Sequence, residues 1–316
     1  MIALIFLIFT AIAACIWIIL YFMNRPLAPP LDLTEEPPAV STLTQSSSVC
    51  LESGSILILV LGVDLPETDF PKGADAIRFV KVDFTNQEVI MLAIPRDLWL
   101  PTPALAIQGY EKERLGQTYF IGKNLATTHE DEARQGTSLL TQTFYDNFGI
   151  FPDHYVTLNM EAFSEMVDSI GGVNVTIPQD FNGARYSFSA GQQDFTGAML
   201  MDYSRTLLVG TVWDRLDRQD LVMQALRDKL LSASIIPEIP KIFSQFSDIV
   251  TTDLSPQQII SLGCMIQNVP PENIGYFEIT SDMVSITSDR DTPTSNILMH
   301  PDVDRITTFV HELFDR

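Results

Sequence analysis

Ile56-Leu57-Ile58-Leu59-Val60-Leu61 is a short, unbroken apolar run, and Gly62-Val63-Asp64 closes it. A strand with one wet face would alternate apolar and polar residues. This one does not, so it is read as a strand buried on both faces, at the centre of a sheet. Its last residue is a carboxylate just past the C-terminal end of a buried strand, the place where open α/β sheets collect ligand groups. Asp also suits a plain turn, so Asp64 alone does not decide between the two.

Working outward, Ala76 to Phe84 and Glu88 to Ile94 read as two more strands, joined around Thr85-Asn86-Gln87 and expected to pair antiparallel. Helical periodicity appears at Thr137 to Phe148, where Leu139, Leu140, Phe144 and Phe148 share a face. His154 to Leu158 and Val173 to Ile177 are strand-like, and the helix between them, Glu161 to Ile170, is stopped by Gly171-Gly172. Further helices are expected at about Thr196 to Arg205, Asp214 to Leu231, Pro237 to Phe246, Ser255 to Ile266 and after Pro301, with a strand at Ile274 to Ile279. This mixture predicts an α/β (mixed α+β) fold, a central mixed β-sheet covered by helices.

Upstream, Ile2 to Met23 is apolar but for Thr10, long enough to span a bilayer, so 1–24 is expected to be a single transmembrane anchor. The run lacks a basic start and is too long for the apolar core of a cleaved signal peptide. Small residues precede Cys15, as they would a lipidated cysteine, but the apolar run continues past it, and Cys15 is read as a packing residue. Arg25, taken alone, votes for its own side being inside. Residues 25–54 are rich in Pro, Ser and Thr and read as a flexible tether. What remains, 55–316, is enough for one large domain. The formal charge of −21 repels nucleic-acid phosphates and argues against DNA binding. Cys50 and Cys264 are read as unrelated thiols, with a bridge between them as the alternative. His129, His154, His300 and His311 show no metal-ligand spacing.

Three polar groups stand out. Asp75, ahead of the second strand, could meet Asp64, and two hard oxygen donors suit Mg²⁺ with phosphate completing its shell; two turn aspartates would look the same. Ile94-Pro95-Arg96-Asp97 ends an apolar strand in both charges, and the guanidinium fork matches phosphate oxygens; a surface Arg96-Asp97 turn is the alternative. Asp214-Arg215-Leu216-Asp217-Arg218-Gln219 puts Arg215, Arg218 and Gln219 on one face of a helix start, where the dipole disfavours cations unless an anion binds there. An Asp214 to Arg218 ion pair on the surface is the competing explanation.

The ordered set of motifs resembles the LytR-CpsA-Psr family over Ile56 to about Val269. It comprises Leu61-Gly62-Val63-Asp64, Asp75, Ile94-Pro95-Arg96-Asp97, Arg114 before Thr118-Tyr119-Phe120, Phe151-Pro152-Asp153-His154-Tyr155-Val156, Val167-Asp168-Ser169-Ile170-Gly171-Gly172-Val173, Tyr203-Ser204-Arg205, and Arg215 with Arg218-Gln219. The resemblance implies a domain outside the cell membrane, tethered by one helix, with an apolar tunnel for a polyprenyl chain. Its expected activity is Mg²⁺-dependent transfer of a glycopolymer phosphate from a polyprenyl-pyrophosphate carrier to peptidoglycan. By position, Asp64 and Asp75 would orient the metal. Arg96, Arg114, Arg205, Arg215, Arg218 and Gln219 would hold pyrophosphate, and Asp75, Arg96 and Asp97 would take part in catalysis. The chain departs from the family pattern at Gly73 (Arg expected), Gly116 (Asn), Leu207 (Arg), and Gly210 and Val212 (an acidic pair). Asp214 is the expected substitute for the missing acids at the metal; a non-catalytic relative that binds polyprenyl phosphate or cell-wall glycan as a scaffold is the alternative.

Overall fold

The computed structural model describes residues 21, 23–31, 44–45, 52–64, 73–206, 210–231, 250–289 and 296–315. The helix expected at 237–246 and most of the apolar run at 2–23 lie outside these residues; among the described residues no helix is long and apolar enough to cross a membrane.

A six-stranded mixed sheet forms the centre. Its first strand, β1 (Ser55–Val63), lies between β2 (Ala74–Asp83), antiparallel to it, and β6 (His154–Asn159), parallel to it. Beyond β2 comes β3 (Glu88–Ala93), antiparallel, and then β10 (Ile274–Glu278), parallel to β3; beyond β6 comes the antiparallel edge strand β9 (Val250–Thr252). The apolar run behaves as its composition requires, because both faces of β1 are covered. Leu59, Leu61 and Val63 face α1 (Leu115–Asn124), α2 (Glu132–Phe148) and α7 (Val303–Phe314), in a core that includes Phe79, Leu92, Tyr119, Leu140, Phe144 and Val310. Each fully buried Leu or Phe there contributes about 2–3 kcal/mol. Ile56 and Ile58 face the other way, toward Met265 and Val269 at the end of α6 (Pro256–Asn268), while Val60, Val80, Met91 and Val156 on that face are only partly buried.

A flank of α3 (Met160–Ser169), the pair β7 (Val173–Ile177) and β8 (Gly191–Phe195), α4 (Gly197–Arg205) and α5 (Val212–Leu230) closes around Phe188, Phe195 and Tyr203. Asn159, Thr196 and Ser255 cap α3, α4 and α6 with their side chains, and Gly171 and Gly172, both at positive φ, end α3 as expected. Elements not anticipated include α1, the strands β8 and β9, the small pair β4 (Trp99–Pro101) and β5 (Lys112–Arg114), and the hairpin β11 (Val284–Asp289) with β12 (Asn296–Pro301).

Two expectations change here. The stretch read as a free tether begins against the domain: Leu27 N–H donates to Leu254 O (3.3 Å), Tyr155 Oη donates to Pro29 O (3.2 Å), and Ala28 and Leu31 pack on the main core. Cys264 is disulfide-bonded rather than a thiol, its partner lying outside the described residues.

Candidate functional site

The parallel alignment of β1 and β6 and the antiparallel return of β2 bring several loops to one end of the sheet. Val63 pairs with Ala74, so Asp64, just past β1, and Asp75, the second residue of β2 rather than a residue before it, meet there. Ile94 N–H bonds Ile77 O, which carries Pro95-Arg96-Asp97 to the same level. Arg114 ends β5 and leads into α1, whose Gly116 N–H bonds Arg96 O at 2.9 Å. The last residue of α4 is Arg205, and Arg215 sits in the first turn of α5.

These side chains form an alternating ladder. Arg205 Nη2 donates to Asp64 Oδ2 and to Asp75 Oδ2 (2.6 Å); Arg96 Nη1 donates to the other oxygen of Asp75. Asp97 Oδ2 then lies 3.7 Å from Arg96 Nε and 3.6 Å from Arg215 Nη2. Arg96 and Arg205 are about one-third exposed, so they can turn toward a ligand, whereas Arg215 is 2% exposed. Burial, reinforced by the neighbouring Arg96, lowers the Arg215 pKa to about 10, and the group stays charged at neutral pH. Its Nε, like the Nε of Arg114, is buried without a hydrogen-bond acceptor. Buried donors of this kind are costly unless something accepts from them, and an oxyanion would.

Asp64 and Asp75 fit a hard divalent cation in one respect: oxygens of both already converge on a single cationic nitrogen. No group of three or more His, Cys, Asp or Glu side chains that could hold a metal occurs among the described residues. Asp214 does not join the pair. It is exposed, and it completes a capping box with Thr211, accepting from Thr211 N (2.5 Å) and Oγ1 (2.8 Å); these bonds hold its carboxyl below the usual carboxylate range. Gly210 has φ 91°, and a Cβ there would stand 2.7 Å from Asp214 Oδ2. The cap and the missing acid are thus linked.

Arg218 and Gln219 also have another task. They share the helix face with Arg215 as expected, but Arg218 Nε donates to Tyr203 O (2.7 Å), its Nη2 to Thr206 O (2.5 Å), and Gln219 Nε2 to Ser204 O (3.3 Å). The guanidinium lies 4.3 Å from the centre of the Phe181 ring. These bonds satisfy carbonyls at the end of α4 and so position Arg205. The departures at Gly73 and Gly116 are coupled as well, since a Cβ on Gly73 would run into the Gly116 carbonyl. Leu207 lies outside the described residues.

Sequence reasoning missed a second charged group on the sheet face that carries Val60 and Val80. Arg78, 4% exposed, pairs with Asp220 at 2.5 Å, and Glu278 sits two strands over, both it and Arg78 registering with Ala93 on the strand between. Burial, then Asp217 and Asp220, raise the Glu278 pKa to about 7. The signal was present: Arg78 and Lys81 interrupt the apolar stretch from Ala76 to Val82.

Comparison with known proteins agrees with this fold. The model of the LytR_cpsA_psr family matches residues 33–309. The chain is 28% identical over 213 residues to the polyisoprenyl-teichoic acid–peptidoglycan teichoic acid transferase TagU of Oceanobacillus iheyensis, covering 67% of this chain and 62% of that protein. It is 27% identical over 214 residues to the regulatory protein MsrR of Staphylococcus aureus, covering 66% and 60%. The chain therefore spans less than two thirds of the length of these relatives. The crystal structure of Bacillus subtilis TagV superposes with a TM-score of 0.64 at 25% identity, over 84% of this chain and 99% of that one. With the motifs in order, the mixed sheet in place and the family model covering most of its length, this chain belongs to the LytR-CpsA-Psr family.

Proposed function

We propose that this protein is a membrane-anchored transferase that moves a glycopolymer phosphate from a polyprenyl-pyrophosphate carrier to a peptidoglycan hydroxyl on the outer side of the cell membrane. The observation that carries this reading is the ladder Asp64–Arg205–Asp75–Arg96–Asp97–Arg215, with buried guanidinium donors on Arg114 and Arg215 that lack acceptors. Its support from relatives is that TagU and TagV are named polyisoprenyl-teichoic acid–peptidoglycan teichoic acid transferases.

Arg96, Arg114, Arg205 and Arg215 hold the pyrophosphate, the first and third by releasing aspartates they now bind. The acceptor oxygen bonds to the phosphorus bearing the glycopolymer, the bond from that phosphorus to the bridging oxygen breaks, and polyprenyl phosphate leaves. Asp97 takes the hydroxyl proton. It suits this role because its two arginine neighbours stand beyond hydrogen-bond range, leaving its oxygens able to accept. Arginine forks stabilise the charge that builds on the leaving phosphate. Three aspartates offset the three ladder arginines, so a bound pyrophosphate needs further positive charge. Mg²⁺ on Asp64 and Asp75 would supply it, together with Lewis-acid polarisation of the phosphate. The polyprenyl chain lies on the half-buried strip of Val60, Val80, Met91 and Val156.

The test is transfer of a radiolabelled polyprenyl-pyrophosphate saccharide to peptidoglycan, with Arg96→Ala and Asp97→Asn as variants. Loss of about 10²-fold or more in each is expected for removal of a charge that stabilises the transition state. Parent-like transfer by Arg96→Ala would refute the assignment.

A further inference from the structure

The docked N-terminal segment bears on where the bilayer lies. Tyr21 and Met23 are helical, Asn24, Arg25 and Pro26 are exposed, and Leu27 is already bonded to Leu254. From Met23 to Leu27 the chain can stretch roughly 14 Å at most. Pro29, Ala28 and Leu31 then hold the segment to Tyr155 and the core. Leu254 follows β9, which runs antiparallel to β6 with Thr252 opposite Val156, so it lies near the level of His154, itself opposite Ile58. Asp64 is six residues further along β1, about 20 Å away at strand rise.

We propose that the segment Leu27–Leu31 seats the domain directly on a phospholipid bilayer, with the N-terminal end of β1 toward the lipid and the arginine ladder about 20 Å further out. The proposal rests on the reading of 2–23 as a membrane anchor. Two features argue for the bilayer as the surface at this end. The apolar run ends within a few residues of the docked contact, leaving no slack for the domain to turn over. The half-buried apolar patch on one sheet face also lies toward this end: Val80 and Met91 stand level with Ile58, and Val156 and Val60 two residues further out, all below the ladder. A prenyl chain resting on this patch starts on the lipid side and extends outward toward the ladder, so the pyrophosphate reacts clear of the headgroups and close to the wall.

The full-length chain in phosphatidylcholine vesicles that carry a rhodamine-labelled headgroup lipid tests this. A donor dye is placed on Glu88→Cys, exposed near the lower end, or on Glu161→Cys, exposed near the ladder end; the unsubstituted chain, labelled in parallel, corrects for native cysteines. Energy transfer from position 88 should exceed that from 161 by about twofold, as fits sites about 25 Å apart along the strands. Ala28→Glu with Leu31→Glu should free the segment and bring the two signals together. Equal or reversed transfer in the undisturbed chain overturns the seating, and a difference that survives the double variant overturns the role of Leu27–Leu31. Failure of the unsubstituted chain to float with the vesicles overturns the anchor reading, and the seating with it.

Discussion

Replacing Arg218 by Met separates a structural arginine from a phosphate ligand. The guanidinium gives charge-assisted hydrogen bonds to Tyr203 O and Thr206 O and stacks on Phe181. Bonds to charged groups contribute about 1.5–3 kcal/mol each, and the ring contact about 1 kcal/mol. Burial offsets part of this, since it holds the Arg218 pKa below the usual arginine value. Met keeps the apolar stem but leaves two buried carbonyls unpaired. A net loss of about 3–5 kcal/mol is expected, a large share of a domain's stability. Urea unfolding of the chain measures the loss, and calorimetric titration with inorganic pyrophosphate, under conditions where the variant is folded, measures the site. Binding should weaken only as far as the end of α4 loosens its hold on Arg205, and Arg218→Lys should fall between parent and Met because it keeps the charge without the fork. Unfolding within about 0.5 kcal/mol of the parent, together with pyrophosphate binding as poor as in Arg96→Ala, would refute the reasoning and return Arg218 to the ligand set.

Asp214→Ala should cost about 1 kcal/mol in urea unfolding, the worth of a cap, with transferase turnover close to the parent's; loss of turnover without loss of stability would show that the carboxylate does chemistry. Gly210→Asp, which puts back an acid, should destabilise by about 1–3 kcal/mol because the position needs positive φ and its Cβ meets Asp214; an unchanged thermal midpoint would contradict this. Glu278 carries a folded-state pKa of about 7, above its ordinary 4.5, so its contribution to stability is fully present below pH 4.5 and is lost as the pH rises through 7. Glu278→Gln should therefore match the parent in thermal midpoint near pH 4.5 and exceed it at pH 8; a lower midpoint at pH 8 would oppose the assignment. Gly73→Ala should cost about 3 kcal/mol by forcing the backbone off Gly116, read as a drop in urea midpoint.

What could be read along the chain was whatever neighbouring residues determine among themselves. An unbroken apolar run declares a strand covered on both faces, paired glycines stop α3, and Thr196 and Ser255 begin helices, because burial periodicity and capping act over a few residues. The positions of Asp64, Arg96, Arg205 and Arg215 were legible for the same reason, lying where strands end and helices begin or end. The N-terminal contact with Leu254 and Tyr155 was not, since a Pro-rich stretch reads alike whether it floats or docks.

The task of each charge was decided only in three dimensions. Arg215 and Arg218 stand one turn apart on the same helix face, yet one reaches Asp97 and the other the carbonyls of α4. Asp214 looked like a spare metal ligand until the turn at Gly210 folded it back as a cap. A guanidinium or a carboxylate bonds whatever complementary group the fold brings within about 3 Å, and here those partners come from as far as 142 residues away in the chain. Composition and order thus set the sheet, its buried strand and the residues at its edge; which of them face a phosphate followed from how α4 packs against α5, a contact that no local pattern encodes.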